Sequence, residues 1–164
     1  MKIQERGDKF VIVDFNELEA YKIATKIEKD GIRFYENLCE GIKDEDVKDK
    51  MKLLLQEERK HLNLFEDRLY DVRQRVEDSF EEDDLLSYME YGIFQPYQSI
   101  ENMGEKIDDV KKTLRLGIIV EEKSIKFYQV CNDNVFSSET KKELQGIIEE
   151  EKRHKTLFEN MINT

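Results

Sequence analysis

The only two histidines of this 164-residue chain sit in one short stretch of sequence written twice, Glu57-Glu58-Arg59-Lys60-His61 and Glu150-Glu151-Lys152-Arg153-His154. Each copy holds a Glu-x-x-His pair, and the copies lie 93 positions apart. At the same offset, Ile27-Glu28 through Phe34-Tyr35 returns as Val120-Glu121 through Phe127-Tyr128, which places a further glutamate 30 positions ahead of each pair. Sliding residues 21–71 over 114–164 without a gap gives 11 identities, clustered around these acids and histidines. A duplicated unit of this kind buries its apolar face against its twin. Four Glu and two His held in one register suggest a site for two metal ions.

Each copy carries helix punctuation at matching places. Asn16 matches Asp109 as a first N-cap, and Asp44 matches Ser137 as a second. One Pro, seven Gly and 40% charged residues favour long helices with few breaks. The expected fold is all-α and a single domain over 1–164: helices Asn16–Glu40 and Asp44–Gln74 form one hairpin, Asp109–Asn132 and Ser137–Asn163 the other. The two make a four-helix bundle. The link of about 75–108 is far longer than an up-down-up-down bundle needs. It can return along the bundle and start the third helix at the far end. It holds the sole proline, Pro96, and an expected short helix over Asp83–Tyr91, with the acidic run Glu81–Asp84 as its solvated start. Phe10-Val11-Ile12-Val13 reads as a packed N-terminal extension without a chemical role.

Periodicity places the acids indoors. In the first helix Tyr21, Ala24, Gly31, Tyr35 and Leu38 recur at steps of three and four, and Glu28 occupies the missing step. Val47, Met51, Leu54, Glu58, His61 and Phe65 do the same in the second. The third stripe reads Leu114, Gly117, Glu121, Ser124, Tyr128, Cys131, and the fourth Leu144, Ile147, Glu151, His154, Phe158, Met161. A turn near Ile42 brings Glu28 and Glu58 level at about 1.5 Å rise per residue, and a turn near Val135 does so for Glu121 and Glu151. Four buried carboxylates repel one another and are costly to desolvate, so two divalent cations are the natural counterions. Carboxylate oxygen plus imidazole nitrogen suits iron or manganese, with zinc also able to bind. Small residues beside Glu28 and Glu121 (Ala24, Gly31, Gly117, Ser124) would leave room for metals and a bound oxygen species.

A net charge of -11 argues against nucleic acid or an anionic membrane surface as partner. The N-terminal residues lack a signal-peptide core and no apolar run approaches a membrane span, so a cytoplasmic location is expected. Cys39 and Cys131 form no Cys-x-x-Cys pair and read as small buried hydrophobes.

The pattern Glu28...Glu58-x-x-His61 and Glu121...Glu151-x-x-His154 resembles the ferritin-like di-iron carboxylate proteins. Within them, Ile27-Glu28-Lys29-Asp30-Gly31-Ile32-Arg33-Phe34-Tyr35 is similar to the first-helix signature of the rubrerythrin branch. The resemblance covers nearly all of the chain from Asn16 onward. It implies a bridged di-iron centre, with Glu58 and Glu151 as bridges, Glu28 and Glu121 as terminal ligands, and His61 and His154 on one iron each. It also implies a homodimer with the possibility of exchanged hairpins. Two departures stand out. Rubrerythrins carry an extra Glu three residues after the third-helix ligand, where this chain has Ser124, and they usually append a rubredoxin module that these residues lack. Only ten residues follow His154, too few for the fifth helix of a classical ferritin cage.

The function expected from this resemblance is reduction of hydrogen peroxide at a di-iron pair, with electrons from a separate donor protein such as rubredoxin. A ferroxidase that sequesters iron, using dioxygen or peroxide, is the enzymatic alternative. A non-enzymatic metal-binding bundle is the third. Tyr35 and Tyr128, two turns from the acids of their own helices, are either core aromatics or hydrogen-bond donors to carboxylates across the site. Glu57, Glu150 and Glu122 point about 100° away from their neighbouring ligands. They are either solvated or support a ligand from behind.

Overall fold

Short polar side chains start the helices whose N-cap residues are described. The computed structural model describes residues 2–6, 9–13, 15–75, 110–135 and 137–163. Helix α1 spans Glu17–Gly41, and the Asn16 carboxamide oxygen accepts from Glu19 N–H at 3.1 Å. Helix α2 spans Glu45–Arg73, capped by Asp44, which accepts from Val47 N–H at 3.1 Å. Helix α3 spans Val110–Asn134, and α4 spans Ser138–Ile162 with Ser137 accepting from Thr140 N–H at 3.3 Å. Each cap satisfies a first-turn amide that has no intrahelical partner. Asp109, the expected cap of α3, lies outside the described residues, as do Pro96 and the expected short helix Asp83–Tyr91.

Helices α1 and α2 pack as one hairpin and α3 and α4 as the other, with α1 against α3 and α2 against α4 across the interface. Side-chain pairs give the directions. Tyr35 reaches Glu121 while Tyr128 reaches Glu28, so α1 and α3 run antiparallel. His61 reaches Glu150 and His154 reaches Glu57, so α2 and α4 are antiparallel too. It follows that α2 and α3 run the same way. No short loop can join the end of one to the start of the other, which is the geometric reason for the long link.

The core repeats with the sequence. Phe34 and Phe127, Met51 and Leu144, Leu54 and Ile147, and Phe65 and Phe158 are all buried at equivalent places. Phe65 stacks on Tyr128 with ring centroids 5.2 Å apart, and its counterpart Phe158 packs on Tyr35 at 5.4 Å. The two hairpins are therefore related by an approximate two-fold axis through the bundle. Turn residues Ile42 and Val135 are both buried, sealing the hairpin ends.

Among the described residues a pair of strands adds to the all-α bundle expected from the sequence. Strand β1, Lys2–Arg6, pairs antiparallel with β2, Lys9–Val13, in the register Ile3↔Ile12, and the β2 backbone lies against α3. The run Phe10-Val11-Ile12-Val13, expected only as a packed extension, is most of β2. The signal for a hairpin was a Gly7-Asp8 dipeptide between two runs containing β-prone residues. That signal is weak because Lys2–Arg6 has a single apolar residue and so carries no alternating pattern.

Candidate metal centre

Six polar side chains interrupt the core stripes at one level of the bundle. Glu28 comes from the middle of α1, Glu58 and His61 from α2, Glu121 from α3, and Glu151 and His154 from α4; none is more than 3% exposed. Within α2 and α4 the Glu and His lie three residues apart, which puts both on one helix face. His61 Nδ1 faces Glu58 Oε2 and Glu151 Oε1 at 3.4 Å each, and Glu28 Oε2 at 3.9 Å. His154 Nδ1 faces Glu151 Oε2 at 3.0 Å, Glu58 Oε1 at 3.1 Å and Glu121 Oε1 at 4.0 Å.

Glu58 and Glu151 thus each turn one oxygen toward His61 and the other toward His154. Glu28 and Glu121 each face one imidazole only. Two overlapping clusters result: Glu28, Glu58, His61 and Glu151, and Glu58, Glu121, Glu151 and His154, each with donor atoms within 4.8 Å of one another. The structure brings together all six residues selected from the sequence.

The tyrosines complete the inner wall. The Tyr35 hydroxyl donates to the Glu121 carboxylate, and the Tyr128 hydroxyl donates to Glu28. Both rings are buried. Each ring belongs to the hydrophobic core, and its hydroxyl also crosses to the other copy and meets the carboxylate that faces only one histidine.

With protons as the only cations, the six groups divide the charge unevenly. Burial, reinforced by the neighbouring Glu58 and Glu151 charges, pushes Glu28 well above the usual carboxylate range, and burial with Glu151 and Glu58 does the same to Glu121. Burial also works against the charged form of Glu58, but its contacts with His154 and His61 overcome this and hold it low. Glu151 is likewise lowered, its two histidine contacts outweighing burial and the Glu58 charge. Burial alone would lower both imidazoles, yet facing Glu151 and Glu58 raises them, His154 to about 12. Two central carboxylates balanced by two imidazolium ions, with the outer carboxyls neutral, is the low-energy proton arrangement.

The rubrerythrin family model matches residues 2–70 and 22–162. The chain belongs to the rubrerythrin family. No curated protein and no solved structure matches it. Membership and the paired buried clusters together indicate a di-iron type of protein with a two-metal site. The donor set fits such a pair. Once the ring gives up its Nδ1 proton and keeps the one on Nε2 toward Glu150, His61 Nδ1 is a buried lone pair with no hydrogen-bond partner, aimed between three carboxylates, and a cation placed there would satisfy it.

Two small residues near Glu121 in this rubrerythrin-family chain are placed by local contacts. Ser124, at the position of the family's extra Glu, is buried and its hydroxyl donates back to the Val120 carbonyl at 3.2 Å. It contributes nothing to the clusters. Gly117 is small for a packing reason as well: a Cβ there would meet the Phe158 ring at 3.2 Å. The ring that supports Tyr35 needs that space.

The glutamates left undecided in the sequence separate clearly. Glu150 lies 2.6 Å from His61 Nε2, and Glu57 lies 2.9 Å from His154 Nε2, each reaching from the opposite hairpin. These contacts direct Nδ1 of both rings inward. Glu122 instead pairs with Lys155 at 2.9 Å. Helical angle alone could not tell these cases apart, because the partners sit on another helix. Among the described residues no helix is long and apolar enough to cross a membrane.

Proposed function

We propose that this rubrerythrin-family protein holds two iron ions and reduces hydrogen peroxide to water with electrons from a separate donor protein. The observation that carries the reading is the division of Glu58 and Glu151, each with one oxygen toward His61 and one toward His154. Carboxylates placed in this way are suited to bridge two cations. Glu28 with His61 and Glu121 with His154 would complete one side each. When bound in the reduced state, the iron pair supplies the two electrons that, with two protons, convert one hydrogen peroxide into two waters.

The protein's own residues prepare that chemistry. Tyr35 and Tyr128 each place a hydroxyl proton against an outer carboxylate, limiting the orientations Glu121 and Glu28 can adopt. Phe65 and Phe158 cover the tyrosine rings and keep bulk water from the inner carboxylates. Cys131 is buried on α3 and Cys39 is half-buried on α1, and the two thiols are unpaired with each other. A homodimer is the assembly that the family suggests.

Stopped-flow mixing of the di-ferrous protein with hydrogen peroxide and, separately, with dioxygen tests the reading. Fast two-electron oxidation by peroxide and a slow dioxygen reaction are expected. Retention of many irons per chain after dioxygen would instead establish an iron-sequestering ferroxidase, and absence of redox turnover with either oxidant would leave a metal-binding bundle.

A further inference from the structure

Behind the histidines, the approximate two-fold symmetry of the site breaks at a single residue. Arg153 Nη2 lies 3.5 Å from Glu57 Oε1 and 3.5 Å from Glu150 Oε1. The other oxygen of each carboxylate faces an imidazole, Glu57 Oε2 to His154 Nε2 and Glu150 Oε2 to His61 Nε2. One guanidinium therefore closes a chain that runs His61, Glu150, Arg153, Glu57, His154. Its counterpart in the first copy, Lys60, is exposed and joins no such contact. The asymmetry has a steric reason: a side chain equidistant from two symmetry-related groups sits near the axis, where only one can fit.

We infer that Arg153 is a positioning residue for both histidines at once, acting through Glu57 and Glu150. This rests on the two-metal reading given above. Arg153 neutralises the outer oxygens of two carboxylates that would otherwise repel each other across the α2–α4 seam. Each is thereby kept in reach of the imidazole on the opposite hairpin. Both contacts are made by one nitrogen, Nη2, whose two coplanar N–H groups point in fixed directions, whereas the ammonium of lysine rotates freely on a flexible stem. The chain also marks the solvent-facing wall of the site. Its outer members are exposed to 33%, 37% and 61% at Glu57, Glu150 and Arg153, whereas Tyr35 and Tyr128 on the α1–α3 side are buried.

The test is nitrogen-15 NMR of the zinc-loaded protein, reading the Nε2–H protons of His61 and His154 in the parent, Arg153→Gln and Lys60→Gln. Zinc stoichiometry is measured on each sample. Arg153→Gln is expected to move both Nε2–H resonances and to speed their exchange with water by roughly threefold, the effect of a half-exposed ion pair. Lys60→Gln is expected to move neither. Arg153→Lys should restore less than half of the parent protection. A change confined to His154, the sequence neighbour, or equal responses to Arg153→Gln and Lys60→Gln would overturn the inference while two zinc ions still bind. Failure of the parent to take up two zinc ions would overturn the metal reading itself, and the inference with it.

Discussion

Tyr35 of the first hairpin donates its hydroxyl to Glu121 of the second, and the same bond returns in mirror order from Tyr128 to Glu28. Each outer carboxylate is thus held by the copy that does not contain it. Replacing Tyr35 with Phe leaves the ring packing intact but removes a buried donor. Tyr35→Phe should lower stability by about 1–3 kcal/mol and weaken the metal site beside His154 about 10-fold or more. Thermal melts and competitive metal titrations read the two effects, and equal weakening of both metal sites would contradict the one-to-one pairing.

The shared carboxylates separate from the outer ones by stoichiometry. Glu58→Ala and Glu151→Ala should each abolish two-metal loading, because either change removes a donor from both clusters. Glu28→Ala should spare the cluster around His154, which does not include it. Metal analysis of anaerobically loaded variants decides this, and a Glu58→Ala protein that still binds two irons with parent affinity would rule out the bridging role.

Protonation makes metal-free stability fall as pH rises. His61 and His154 have their folded values raised from 6.5. Their stabilisation is complete below pH 6.5 and is lost progressively above it, for His154 until about 12. Glu28 and Glu121, raised from 4.5, act in the same direction once pH exceeds that value, while the lowered Glu58 and Glu151 lose stabilisation only as pH falls. The melting temperature of metal-free protein should therefore drop from pH 6.5 to 9, and a rise over that interval would contradict the proton arrangement.

Metal should replace those protons. Loading two divalent ions near neutral pH is expected to release up to about four protons, from two imidazoliums and two neutral carboxyls. Calorimetric titration in buffers of differing ionisation enthalpy measures the number. Release of none would show that the acids were already balanced in another way.

Ligand linkage predicts a stability gain as well. At free metal a hundredfold above its dissociation constant, the folded state gains about 2.7 kcal/mol. Thorough chelation should lower the melting temperature accordingly, and an unchanged value would argue that the six groups bind no ion.

The candidate site was legible to an unusual degree because duplication doubled every signal. A single Glu-x-x-His is weak, but Glu58, His61, Glu151 and His154 on core stripes at one offset leave few arrangements that bury them. The caps at Asn16, Asp44 and Ser137 were legible for a local reason, since capping joins residues three apart. The strand pair at Lys2–Val13 was not, because its register depends on pairing between two short segments with little apolar pattern.

Local periodicity by itself determined the helices, their hairpins, their apolar faces and which acids had to be buried, since each is a matter of spacing within about one helical turn. Only the tertiary structure decided which oxygen of Glu58 or Glu151 faces which histidine, that Tyr35 serves Glu121 rather than its own helix, and that Arg153 stands between Glu57 and Glu150. Those contacts cross from one hairpin to the other. Their partners are chosen by the packing of separate helices, a relation that one-dimensional spacing does not carry.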